Sequence, residues 1–177
     1  MPVSTAAAAR RRTRPAVPVV MPSEAQMIQS KKDTMTEAHT QAEEFFVVLE
    51  GQRWDDFPTV MHDDIRMTSP IADVHSVAEF VKYGQGFVTA FPDAKHTITN
   101  VFRDGDKMAL EGIMKATHTG PLAAPAGEVP PTGLAFTAPF SAIFRLRDGR
   151  VSEVNVYFDQ LSMLAQLGLV PGPDAAQ

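Results

Sequence analysis

Between Leu134 and Leu146 the chain alternates apolar and polar side chains without interruption. Leu134, Phe136, Ala138, Phe140, Ala142, Phe144 and Leu146 share one parity, while Thr137, Ser141, Arg145 and Arg147 share the other. A period of two over this length predicts a strand with one buried face. The Asp148-Gly149 pair then turns the chain into a second strand, Val151 to Phe158. Upstream, Lys95 to Phe102 and Lys107 to Thr117 form another strand pair about the Asp104-Gly105 turn, with Met108, Leu110, Ile113 and Met114 supplying the apolar surface of the latter. A weaker alternation over Asp64 to Ser69 predicts a further strand.

Before Pro92 the period is helical. Thr34 and Glu37 stand at capping-box spacing and predict a helix to about Gly51, with Ala42, Phe45, Phe46, Val48 and Leu49 on its apolar stripe. Trp54 to Met61 predicts a short helix interrupted near Pro58. Ser76 and Glu79 predict a helix ending before Pro92, weakened in its middle by Gly84 and Gly86. A last helix runs from about Gln160 to Leu167, with Gly168 at its C-terminal cap. Helices followed by an antiparallel meander predict an α+β domain with helices on one side of the sheet. Thr119 to Gly133 carries four prolines and no period, which predicts a stiff connection or a lid.

Composition adds boundaries. Residues 1–33 hold six basic residues (Arg10, Arg11, Arg12, Arg14, Lys31 and Lys32) against Glu24 and Asp33, a balance of +4. With −5 on the whole chain, −9 remains on residues 34–177. An acidic folded part argues against nucleic acid as a partner. The expected organisation is a disordered extension over 1–33, one domain over 34–171 and a tail over 172–177. The apolar run after Arg10–Arg12 is short and broken by Pro15, Pro18 and Pro22, which does not fit an export signal, so the expected location is the cytoplasm without a membrane partner. The absence of cysteine removes disulfides, thiolate metal sites and a Cys nucleophile. His62, Asp63 and Asp64 are consecutive and cannot all face one metal from a strand, so no metal is expected there.

The run from His118 to Gly168 resembles the SnoaL-like polyketide cyclases, members of the nuclear transport factor 2 superfamily. The resemblance rests on HTGP at 118–121, PPTG at 130–133, the DGR turn, Glu153 and DQL…QLG over 159–168, with weaker similarity back through AFPD at 90–93 and the first helix near Glu43. It covers about residues 36–170. It implies a curved antiparallel sheet wrapped by three to four helices into a cone with an apolar pocket, and a homodimer. It also implies cofactor-independent acid/base chemistry, cyclisation or isomerisation, on an apolar carbonyl compound. A non-catalytic ligand-binding module and an epoxide hydrolase share the fold.

Asp159 matches the acid/base position of the cyclases. It also stands where a helix N-cap belongs, and both readings remain open. It shares parity with Glu153, Asn155 and Tyr157, a polar row that lines a wet pocket or faces outward. Tyr157 and Asn155 are candidate carbonyl donors, and His118 is a second acid/base, an oxyanion donor or a loop anchor. Glu111 is an inward carboxylate or part of an exposed charge cluster with Lys107 and Lys115. Trp54 and Phe57 form cone wall or a ligand stack, and Phe140 sits on the inner parity of its strand as a ligand contact.

Overall fold

The alternation at 134–146 becomes β7, Ala135–Arg147, whose buried residues are Phe136, Ala138, Phe140, Ala142, Phe144 and Leu146. In the computed structural model, which describes residues 21–124 and 127–171, β7 lies inside a six-stranded sheet of order β2-β1-β8-β7-β4-β3. The strands are β1 Met61–Ser69, β2 Ala72–Val74, β3 Lys95–Asp104, β4 Lys107–Thr117 and β8 Arg150–Phe158. The turn between β7 and β8 works as predicted. Asp148 (φ 50°) and Gly149 (φ 77°) take the left-handed conformations that a two-residue hairpin needs. Pairing is antiparallel except between β1 and β8, which run parallel, so the sheet is mixed rather than wholly antiparallel. The parallel pair arises because the chain reaches β1 early and returns to its flank only at the end.

Three helices bury their apolar stripes on one face of this sheet: α1 Glu24–Glu50, α3 Val77–Ala90 and α4 Gln160–Gln166. A 3₁₀ turn at Trp54–Asp56 and the short α2 Phe57–Val60 join α1 to β1, with Pro58 in the first turn, where its missing N–H costs nothing. Helix α3 begins as predicted: Ser76 Oγ accepts from Glu79 N at 3.2 Å. Gly84 does not merely weaken α3. A Cβ there would lie 2.9 Å from the Trp54 ring, so the glycine admits the indole against the helix.

Two predicted features differ. Helix α1 starts at Glu24, not at Thr34, and is capped by a box of Ser23 and Gln26. Thr34 sits mid-helix and returns its hydroxyl to Ser30 O. No breaker separates the two capping signals, so the helix runs back to the earlier one, through residues 24–33 of the expected extension. The remainder of that extension, residues 1–20, and the tail over 172–177 lie outside the described residues. The stretch 119–133 is also not featureless: β5 Leu122–Ala124 and β6 Gly127–Val129 pair as a small antiparallel hairpin.

Both ends of that hairpin are tied to the domain. Thr119 N and Gly120 N both donate to Ala90 O at the end of α3, and a Cβ on Gly120 would fall 1.9 Å from Thr89 O. His118 is fully buried, its Nδ1 accepts from Thr132 N at 3.3 Å, and its backbone pairs with Gly133 and Leu134. Asp93, from AFPD, accepts from Thr117 N and Thr117 Oγ1, both at 2.7 Å, which holds its carboxyl below the usual carboxylate range.

A glycine also shapes the inner face. A Cβ at Gly112 of β4 would meet Phe140 Cε1 at 2.6 Å and Thr97 O at 2.8 Å, so the Phe140 ring lies across a position that only glycine leaves free. Gly112→Ala is expected to cost about 1–3 kcal/mol by overpacking. Urea unfolding measures this, and an unchanged midpoint would mean that the ring has somewhere else to go.

Candidate active site

Between the helices and the inner sheet face lies a partly open cavity of ≈ 100 Å³. A single water needs only about 10–15 Å³, so this is a chamber rather than a packing defect. Phe45, Phe46 and Leu49 of α1 and Phe80 and Phe87 of α3 form one wall. Phe140 and Phe144 of β7, Val154, Val156 and Phe158 of β8, and Met163 of α4 form the other. Ile71, 40 % exposed, lines the mouth. Among the described residues of the lining, only Ser69, Tyr83 and His96 carry side-chain oxygen or nitrogen.

His96, in β3, is held from two sides. Its ring stacks on Phe46 at 4.7 Å and meets Phe140 edge-on at 5.6 Å. Its Nδ1 lies 3.3 Å from Glu50 Oε1, the oxygen that also accepts from His96 N at 2.6 Å. Lys95 Nζ donates to the other carboxylate oxygen at 2.8 Å. Desolvation is the strongest single influence on Glu50 and pushes its pKa up. The hydrogen bonds from Lys95 and His96 together outweigh it, and the carboxyl sits below its ordinary 4.5. For His96, burial prevails over the pull of Glu50 and holds the imidazole below its ordinary 6.5.

At neutral pH the pair is therefore a carboxylate and a neutral imidazole. A carboxylate only accepts hydrogen bonds, so the imidazole proton is on Nδ1 and Nε2 carries the bare lone pair. Nε2 has no hydrogen-bond partner among the described residues, and it is not sealed inside the core as His118 Nε2 is. The arrangement is a neutral imidazole in the wall of an apolar chamber, backed by a carboxylate.

Tyr83 is the second polar group. Burial alone pushes its phenol up to about 12, so it stays a neutral O–H donor. Its hydroxyl too has no partner among the described residues and is not sealed off. The Ser69 hydroxyl is already used: it donates to Ala72 O at 3.2 Å and accepts from Ile71 N and Ala72 N.

The residues singled out from sequence fall mostly elsewhere. Val154, Val156 and Phe158 line the chamber, so the opposite parity of β8 faces outward. Tyr157 is 57 % exposed, and Asn155 Nδ2 donates to Glu153, which pairs with Arg145 at 3.5 Å. Asp159 is exposed at the N-cap of α4, its Oδ1 accepting from Ser162 N at 2.9 Å, and it is not part of the lining. Glu111 accepts from Asn100 Nδ2 on the outer face. None of these carboxylates meets another across the cavity, so the paired-carboxylate water site of an epoxide hydrolase is not formed there. His118 is the loop anchor. Phe57 is core, stacked on Trp54 at 5.9 Å, and neither ring reaches the chamber. Phe140 alone of the named set lines it.

Glu50, Tyr83 and His96 were missed. A signal existed for each: His96 shares strand parity with Ile98, Tyr83 follows Phe80 on the inner stripe of α3, and Glu50 puts a negative charge in the last turn of a helix, where the dipole disfavours it.

The SnoaL-like polyketide cyclase family model matches residues 36–167. The chain belongs to that family. Solved structures agree on the SnoaL-like fold. A candidate SnoaL-like polyketide cyclase from Jannaschia sp. CCS1 superposes with a TM-score of 0.67 at 20 % identity, over 77 % of this chain and 95 % of that one. AclR, a candidate hydroxylase from Streptomyces galilaeus, gives 0.64 at 27 % identity, over 78 % and 85 %. IdmH, a candidate polyketide cyclase from Streptomyces antibioticus, gives 0.62 at 24 %, over 74 % and 98 %. No curated protein matches the sequence. Among the described residues, no helix of this SnoaL-like chain is long and apolar enough to cross a membrane.

Proposed function

We propose that this SnoaL-like protein is a cofactor-independent acid/base enzyme that enolises an apolar carbonyl compound held in the chamber, leading to cyclisation or isomerisation. The observation that carries the reading is the His96 imidazole, neutral, backed through Nδ1 by Glu50 and set in the wall of an apolar cavity. The base takes a proton from the carbon beside the carbonyl, and the C–H electron pair moves into the enolate. In a cyclisation the enolate carbon then attacks a second carbonyl, and the imidazolium returns the proton to the new alkoxide. In an isomerisation the proton goes back to a different carbon of the same molecule. Either course balances without an oxidant or a metal.

The role that the resemblance gives to Asp159 passes to His96 in this reading. Asp159→Ala tests the transfer. It is expected to lower stability by about 1 kcal/mol, the usual value of an N-cap, and to leave turnover within about twofold. A loss of turnover of a hundredfold or more, with the fold intact, would return the proton to Asp159.

The direct test is exchange of the α-protons of 2-tetralone, a neutral apolar ketone, followed by NMR in deuterated buffer. Exchange catalysed by the native chain and lost in His96→Gln supports the reading. Binding of the ketone with no exchange above buffer would favour a ligand-holding module, a reading that the sparsely polar lining also fits.

A further inference from the structure

Among the described residues, the side chains of the chamber offer a ligand one free donor and one free acceptor. Tyr83 is the donor. His96 cannot serve as one, because its proton is committed to Glu50 and Nε2 presents a lone pair. Ser69 cannot either, because its hydroxyl proton goes to Ala72 O. Among the described residues no Lys or Arg side chain belongs to the lining, so a charged carboxylate entering the chamber would lose its hydration with nothing there to replace it.

From this division we infer that the chamber selects an uncharged ketone, which Tyr83 anchors by donating its hydroxyl proton to the carbonyl oxygen. The inference rests on the chamber being the ligand site and deepens the proposed reaction. It fixes which end of the substrate goes where. The carbonyl oxygen goes to α3, and the neighbouring C–H is turned toward β3, where the lone pair of His96 is. The same hydroxyl then faces the oxygen that gains negative charge on enolisation, and a buried neutral donor stabilises that charge more than it stabilises the ground-state carbonyl. Tyr83 is thus both the specificity determinant and a catalytic residue.

The isosteric pair acetophenone and α-methylstyrene tests this, because the two differ only in C=O against C=CH2. Benzoate is the charged comparison. Equilibrium dialysis with the native chain is expected to show acetophenone bound about tenfold more tightly than α-methylstyrene, the value of one buried neutral hydrogen bond, and benzoate bound more weakly than either. Tyr83→Phe keeps the ring and the cavity wall, so it should bind α-methylstyrene as before and lose the preference for the ketone. The carbonyl stretch of bound acetophenone, shifted to lower frequency by the native chain, should return toward its value in an apolar solvent.

An equal affinity of the native chain for the two isosteres would overturn the inference, and so would a Tyr83→Phe chain that keeps the preference and the shifted stretch. These outcomes are separate from the proton-exchange test. Exchange can fail with the preference intact, which removes the base and leaves the anchor; the reverse result removes the anchor and leaves the base.

Discussion

His96→Gln is expected to lower the exchange rate of 2-tetralone by about 10²–10⁴-fold, the range for loss of a positioned general base. Gln keeps the volume and can still donate to Glu50, so the fold and the carboxylate partner survive. The melting temperature is therefore the control, and it should move little. Glu50→Gln separates positioning from chemistry. The carboxylate raises the His96 pKa against the desolvation that lowers it. Its removal should make the imidazole a weaker base. A Gln amide can also donate to Nδ1, which would move the imidazole proton to Nε2 and block it. Both effects slow exchange, and the acid limb of the pH–rate profile should shift to lower pH. A Glu50→Gln chain with a native profile would show that the carboxylate holds β3 and nothing more.

The sign of the pH dependence follows from the directions of the shifts. The proposed reaction uses neutral His96, so activity is expected to be lost as pH falls through a value below 6.5 and to stay level through neutrality. Stability moves the same way. The unfolded chain protonates His96 at its ordinary pKa and the folded chain only at a lower one, so stability starts to fall as pH drops below 6.5. Glu50 adds a second loss as pH falls below 4.5, where the unfolded carboxyl takes a proton that the folded one refuses.

The fold could be read in the sequence because its signals are local. Strict alternation over 134–146, the Asp148-Gly149 turn and the Ser76 cap each act over a few residues, and each forms where predicted, while the turn expected at Asp104-Gly105 falls one residue later, at Gly105-Asp106. The motifs that carry the family resemblance are legible for the same reason, and most of them turn out to hold the chain together. HTGP and PPTG meet through His118 and Thr132, AFPD ties down Thr117, and DQL caps α4. The candidate chemistry is different in kind. Glu50 and His96 stand 46 residues apart, and only the packing of α1 on β3 brings them together. In the sequence, Glu50 is one more charge at a helix end and His96 one polar residue near the start of a strand. Nor does β8 announce which of its faces is wet. Its parity was readable, but the choice between the two faces is made by α1 and α3, which cover the side of Val154 and Val156 and leave Asn155 and Tyr157 outside.

Phe45→Ala is expected to cost about 3–5 kcal/mol, the range for emptying a buried aromatic site. For a domain of this size that lowers the melting temperature by roughly 6–20 °C. Phe45 is 6 % exposed and stands at the centre of the aromatic core: its ring meets Phe46, Phe57, Phe80 and Phe144 edge-on, at 5.4–6.4 Å. It joins α1 to α2, α3 and β7 at once. No single rearrangement can close the space from all four sides, which argues for the upper part of the range. The site also borders the chamber. Truncation enlarges the chamber and loosens Phe46, on which the His96 ring is stacked. The stability loss should therefore come with slower ketone exchange even at temperatures where the variant is fully folded. Calorimetry and exchange on one sample check both parts. A variant that loses stability but keeps native exchange would show that His96 is held by Glu50 alone, without help from the aromatic wall behind it.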